Sequence, residues 1–476
     1  MKSLKSNFLW NASYQLLLII TPLITTPYLS RVLGAQQVGV YSYTCSIASY
    51  FVMFATLGMS QYGVRAVASA GDDRALRSRT FCSAWAAQLC FAVPLLLLYI
   101  VYTFLIPQQG GMVVAAVWGL YVLSAVFGIS WLFFGVEEFR LPTIRNVITK
   151  IAGIALIFLF VRGPGDLWIY VLSIAGAYLA NALLLLPFVR RHVDFVLPTW
   201  PEVRRHFLPN LRLFAPVVAI SLYCTFDKIM LGAISGMEQA GFYEYSEKLS
   251  KMPMAVITAM GTVMLPHMTA ELAAGRRESA VGLLGRSLWL MEAAALGLTF
   301  GIAAISPEFA VVFLGEGYEP CAYIMPIVAI IIPIICASNV IGVQYMLPTF
   351  SDRAYTVSVC LGAVVNVALN LVLLAPFGAV GAAVSTVAAE LAVLGFQCWT
   401  VRGELPLASY VRTALPFAVI GVLMFVLVRF AIGAFALAGV GGLIAEIAIG
   451  VVAYMAMAAV YLTITGRLHD VLKALR

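Results

Sequence analysis

Residues 240–253 read AGFYEYSEKLSKMP, the densest group of ionisable side chains inside an apolar stretch of this 476-residue chain. Glu244 and Lys248, like Glu247 and Lys251, stand four residues apart with the acid nearer the helix N-terminus, the order that favours an ion pair. Four charges on about one face of an apolar helix need water, protein or one another, because lipid satisfies none of them. Two readings stay open: the pairs bind or gate a passing ligand, or they lock helical halves together. Asp227 and Lys228 add charge near the end of the preceding apolar run, where Lys228 can reach headgroups and the shorter Asp227 cannot. Glu390, alone in the run 378–400, is either a hydrogen-bonded buried acid or a proton-coupling group. Arg31 has no adjacent acid and is the cleaner anion-binding candidate; Arg65 is a loop anchor or a group at an inner mouth. Asn366 and Asn370, one turn apart, have the spacing of residues that join helices. The candidates therefore sort into a binding set (Arg31, Arg65, Lys248, Lys251) and a gating or ion-coupling set (Asp227, Lys228, Glu244, Glu247, Glu390).

The elements that must hold these residues follow from composition. Hydrophobic residues make up 62% of the chain and charged residues 11%, with a mean hydropathy of +0.97. Soluble domains carry about 25% charged residues, so the class is an all-α integral membrane protein. The N-terminal apolar run is long enough to span and is followed at once by another, which reads as a retained first helix and not as a cleaved signal. Runs of about 20 apolar residues recur fourteen times, predicting fourteen transmembrane helices. With both termini in the cytoplasm, most of the 29 Lys+Arg fall on the cytoplasmic side, Arg31, Arg162 and Arg429 remain at outer ends, and Lys228, Lys248 and Lys251 lie within spans. The net charge of +7 is then loop arginine facing an anionic leaflet, with no nucleic-acid partner implied.

The run RVLGAQQVGVYSY (31–43) is echoed by IMLGAISGMEQAGFYEY (229–245). Both join two spans on the outer side, six helices apart, which predicts a parallel repeat of two six-helix lobes. WLFFGVEEFR (131–140) and VQYMLPTFSDR (343–353) are a weaker echo. The expected organisation is an N-lobe at 1–190, a cytoplasmic linker at 191–207, a C-lobe at 208–402, and two further helices with a tail at 403–476.

No Walker A run, HExxH motif or Gly-x-Ser-x-Gly elbow is present, so an ATPase or hydrolase site is not expected. The eight cysteines are scattered without CxxC or Cys/His clustering, which predicts neither a disulfide framework nor a metal site. No cofactor is expected; energy must come from an H+ or Na+ gradient, the membrane potential or substrate depletion.

The segments NASYQLLLIITPLITTPYLSRVLGAQQVGVYSY (11–43), SLYCTFDKIMLG (221–232), AGFYEYSEKLSKMP (240–253), LPHMT (265–269) and GAVVNVALNLVLLAPFGAVGAAVSTVAAE (362–390) together resemble the Wzx-type polysaccharide flippases of the multidrug/oligosaccharidyl-lipid/polysaccharide exporter superfamily. The resemblance implies two lobes around a central cavity, alternating access, and a multi-pass protein of the bacterial cytoplasmic membrane. It implies an undecaprenyl-diphosphate-linked oligosaccharide as cargo, with polysaccharide polymerase and glycosyltransferases as neighbouring activities. Arg31, Arg65, Lys248 and Lys251 would then meet the diphosphate, and helices 13 and 14 would offer a groove for the lipid tail. The alternatives within the same superfamily are a flippase for lipid II, the peptidoglycan precursor, and a cation-coupled multidrug exporter; a non-transporting scaffold for polysaccharide assembly is a further class.

Overall fold

The computed structural model describes residues 4–108, 110–349, 351–435 and 438–466; the expected cytoplasmic tail at 467–476 lies outside them. The chain divides into two compact units, Met1–Gly241 and Phe242–Arg476. The first holds α1 (Leu4–Thr56), α2 (Met59–Ser69), α3 (Arg74–Leu105), α4 (Gly111–Ser124), α5 (Ser130–Gly135), α6 (Arg140–Phe160), α7 (Leu167–Leu183), α8 (Leu186–Val189), α9 (Trp200–Arg204), α10 (Phe207–Cys224), α11 (Phe226–Ile234) and the start of α12 (Met237–Lys251). The second holds the rest of α12, then α13 (Met254–Ala273), α14 (Arg277–Phe309), α15 (Cys321–Ala329), α16 (Ile331–Ser338), α17 (Asp352–Val401), α18 (Leu407–Phe435) and α19 (Gly439–Ile464).

Among the described residues, ten helical stretches are long and apolar enough to cross a membrane, against the fourteen spans expected. Part of the difference is visible in the backbone. Two stretches, Ile20–Ser69 and Asp352–Val401, run for 50 residues, or about 75 Å at helical rise, where one crossing needs about 30 Å. Each contains a glycine with dihedrals that no helix uses: Gly34 (φ 75, ψ 165) and Gly378 (φ 52, ψ −129). A side chain at such a positive φ is strained, so glycine makes the sharp joint possible. In the sequence, each of these glycines lies where one apolar run gives way to the next.

Polarity is distributed as a bilayer demands. Leucine, valine and phenylalanine side chains such as Leu97, Phe104, Leu371, Phe430 and Val452 are exposed, while Gln344, Asn366, Asn370 and Gln397 are fully buried. Large apolar groups facing outward and polar groups facing inward let lipid cover the surface and leave hydrogen bonding to the interior. Where α4 stops at Ser124, the buried Gln88 of α3 donates to the freed Ala125 carbonyl at 2.6 Å and to that of Gly128 at 3.2 Å, and accepts from Trp131 Nε1 at 3.2 Å. An interrupted helix thus keeps its carbonyls paired without water.

Within the first unit, the segment after α8 is strapped to the start of α3. Asp73 caps α3 by accepting from Ala75 N and Leu76 N at 2.9 and 3.0 Å. Arg74 donates to both oxygens of Asp194 at 2.9 and 2.8 Å, and Arg77 donates to the His192 carbonyl at 3.0 Å. His206, before α10, is buried between Tyr62 OH (2.6 Å from Nδ1) and Ser83 Oγ (2.8 Å from Nε2). Burial first, and the nearby Arg205 charge second, lower its pKa from 6.5 to about 4. A depressed base is neutral in the fold and charges more readily when unfolded, so its contribution is complete above pH 6.5 and is lost as pH falls toward 4. That window corresponds to on the order of 3 kcal/mol. Thermal unfolding of the purified protein at pH 7 and pH 4.5 is therefore expected to show a loss that His206→Asn reduces; an equal loss in the variant would count against His206 as its source.

Candidate substrate site

Both helices that carry the sequence-predicted charges are interrupted beside them. In the first unit α10 ends at Cys224, Thr225 leaves helical geometry (φ −127), and α11 begins at Phe226. Asp227 lies in the first turn of α11 and is 1% exposed. There the helix N-terminus favours a negative charge. Tyr50 of α1 stands beside it: its hydroxyl donates to the Ser221 carbonyl at 2.8 Å, its ring meets Phe226 edge-on at 6.3 Å, and the Asp227 charge acts on it. Lys228, the next residue, is half-buried.

In the second unit α12 stops at Lys251, and Met252 and Pro253 separate it from α13. The apolar run that begins at 240 is thus two helices, and the reason is local: Pro253 lacks the amide hydrogen that would continue α12. Interrupted helices at membrane depth occur where the backbone is buried in protein or lines a water-filled cavity, and they mark transporter binding sites. Lys251 Nζ lies 2.7 Å from Glu247 Oε1, with 25% and 9% side-chain exposure. This is one of the two i,i+4 pairs read from the sequence. Lys248 sits over the Tyr245 ring at 5.9 Å. Glu244, like Glu247, is buried.

Glu390 of α17, 6% exposed, lies within reach of the Lys251 charge, and Tyr355 of the same helix lies within reach of Glu390. The second unit therefore holds the Glu247–Lys251 ion pair, with Glu390 within reach of the same ammonium charge. The same helices carry further buried hydrogen bonds: Tyr243 OH to Thr386 Oγ1 at 2.9 Å, and Asn370 Nδ2 donating to Asn366 Oδ1 at 3.1 Å. The asparagine pair thus lies within one helix.

Arg31 and Arg65 belong to the first unit. Arg31 is exposed just before the Gly34 joint, its Nη1 donating to the Pro27 carbonyl at 2.7 Å. Arg65 is exposed on α2, beyond the break at Leu57 and Gly58. The opposite face of α2 packs tightly, since a Cβ on Gly63 would lie 2.5 Å from the Trp131 ring.

Sequence reading overlooked Tyr50 and Tyr355, whose aromatic character blends into apolar runs, and the interior glutamines. Gln344 accepts from Ser287 Oγ at 2.9 Å in a π-helical stretch, Asn339–Met346. A lone glutamine inside an apolar run was the available signal.

Residues 4–270 match the sequence model of the family described as "Polysaccharide biosynthesis protein". The chain is 24% identical over 409 residues to a putative O-antigen transporter of Escherichia coli strain K12, covering 84% of this chain and 97% of that protein. It is 24% identical over 229 residues to the probable low-salt glycan biosynthesis flippase Agl15 of Haloferax volcanii, covering 47% of this chain and 46% of that one. Among solved structures, the lipid II flippase MurJ in an inward closed conformation has a TM-score of 0.75 at 13% identity, covering 97% of this chain and 99% of that chain. An inward-facing multidrug resistance MATE family transporter has a TM-score of 0.64 at 12% identity, covering 83% and 99%. Those two likenesses speak to fold alone. With more than half its length matched, the chain belongs to the polysaccharide biosynthesis protein family, as its resemblance to the Wzx-type flippases led us to expect.

Proposed function

We propose that this protein is a flippase that carries an undecaprenyl-diphosphate-linked oligosaccharide, the repeat unit of a surface polysaccharide, from the cytoplasmic to the outer leaflet by alternating access. One observation carries the reading furthest: the likeness to the putative O-antigen transporter runs over 97% of that protein's length. The site's chemistry is compatible with it. A diphosphate needs a cation that can be released to it, and Lys251 is held by Glu247 at 2.7 Å with Glu390 nearby. Protonation of either carboxylate would loosen its hold on the ammonium and let the lysine meet a phosphate, which couples cargo binding to an inward or outward proton movement. Arg31, Arg65 and Lys248 are the further cations that the diphosphate would meet, with Asp227, Lys228, Glu244 and Glu390 available for gating or ion coupling.

The proposed frame is fourteen crossings in two six-helix lobes, 1–190 and 208–402, with the added pair in 403–476 forming a groove for the lipid tail. It places both termini in the cytoplasm of a bacterial cell, with no ATPase step and no cofactor. Polymerase and glycosyltransferases are the partner activities that would consume and supply the cargo.

The test is genetic and direct. Expression in a strain lacking its own repeat-unit flippase, but retaining the matching glycosyltransferases, is expected to restore surface polysaccharide. Rescue of cells depleted of their lipid II flippase, without restoration of polysaccharide, would replace this reading with the lipid II one.

A further inference from the structure

Three charged side chains that the proposed path does not use meet at one end of α14, α18 and α19, in the second unit. Glu308 is the penultimate residue of α14, Arg429 lies six residues before the end of α18, and Glu446 lies seven residues after the start of α19. At a rise of about 1.5 Å per residue, Arg429 and Glu446 both lie about 10 Å inside the helix ends that are joined through 436–438. Arg429 Nη1 donates to Glu308 Oε1 at 2.9 Å, to Glu308 Oε2 at 2.8 Å, and to the Ala304 carbonyl at 3.2 Å. Glu446 is 1% exposed, and neither of its carboxylate oxygens has a hydrogen-bond partner among the described residues. The charges that act on it are Glu308 of α14 and Arg429 of α18. The turn packed against α19 at Ala310–Leu314 carries no titratable residue. Tyr454 and Glu292, the next titratable groups along α19 and α14 within the membrane, lie about two and four turns further on.

A buried carboxylate without a donor costs several kcal/mol if ionised, unless a countercharge turns to it. The nearby countercharge is already engaged by Glu308. An ionised Glu446 must therefore compete for Arg429, whose planar fork can serve a second carboxylate only by turning from the first. A protonated Glu446 leaves the Glu308–Arg429 pair undisturbed and the group neutral. An alkali cation is a poor fit, since it needs several oxygens and one carboxylate here is already spent on arginine.

We propose that Glu446 is a proton-binding site, separate from the α12 group, at the outer end of the two-helix extension, and that its protonation decides which carboxylate holds Arg429. Taking up a proton there ties α18 to α14 through Glu308; releasing it draws Arg429 toward α19. The site gives the extension beside the proposed lipid-tail groove a response to external pH, and in that respect it rests on the flippase reading.

The experiment uses the full-length protein in lipid nanodiscs and infrared difference spectroscopy of the protonated carboxyl band during a pH titration in sodium chloride. The expected result is a component that Glu446→Gln removes and Glu446→Asp keeps at shifted frequency. Glu308→Gln, by freeing Arg429, should lower the pH at which that component disappears by about one unit, and Arg429→Gln should raise it. A titration identical in wild type and Glu446→Gln would overturn the proposal. So would a component that neither Glu308→Gln nor Arg429→Gln moves. A component displaced when choline replaces sodium would assign the site to an alkali cation instead. The spectra need no cargo, so they test the site even if the flippase reading fails; if that reading holds, Glu446→Gln should also flatten the dependence of polysaccharide export on external pH.

Discussion

Lys251→Ala is expected to reduce polysaccharide export about 10- to 100-fold, the range that loss of one charge-assisted contact to a diphosphate implies. The same change should lower stability by about 3 kcal/mol, because it removes the ammonium that lies 2.7 Å from the buried Glu247 carboxylate. The two effects separate in a double variant. Glu247→Gln with Lys251→Met removes both members of the pair, and replacing a buried ion pair by groups of similar volume is often neutral for stability. If the pair serves transport, the double variant should melt close to wild type and still fail to export. Recovery of export along with stability would make the pair a structural lock and nothing more. The measurements are surface polysaccharide in a flippase-deficient strain and thermal unfolding of the purified variants.

That experiment is needed because the sequence shows the pair but not its surroundings. The spacing of Glu247 and Lys251 is a local property of one helix and could be read directly. So could the joints at Gly34 and Gly378, since each falls between two apolar runs too long to be one span. Glu390 was visible only as a lone acid; its place near Lys251 depends on packing between α12 and α17, 139 residues apart in numbering, and no periodicity encodes that. The break at Pro253 was legible, because proline ends a helix, yet the apolar run on its far side suggested continuity. The break at Thr225 has neither proline nor glycine within it, so only tertiary structure reveals that Asp227 begins a new helix. Glu308 and Glu446 illustrate the same limit. Each reads as an isolated acid near a span's end, and the arginine they share comes from a third helix.

The repeated joints themselves yield the second large effect. In the first unit Gly39 and Gly241, which hold the same place in the two Gly-x-Tyr-x-Tyr runs, press their backbones together. A Cβ on Gly39 would stand 1.6 Å from the Met237 carbonyl oxygen, and one on Gly241 would stand 2.0 Å from that of Ala35. The contact is reciprocal: each carbonyl lies four residues before the other glycine. Backbone atoms cannot swing aside as a side chain can, so even a methyl group must force the segments apart. Gly39→Ala and Gly241→Ala are each expected to cost about 3 kcal/mol and to abolish most export. Gly395→Ala is the control, since a Cβ there meets nothing within 4 Å. Because the two glycines share one seam, separation forced by the first methyl makes room for the second. Gly39→Ala with Gly241→Ala should therefore destabilise by clearly less than the sum of the single changes. Strict additivity in thermal unfolding, or export from either single variant equal to that of Gly395→Ala, would show that the two joints are independent turns that share only a sequence.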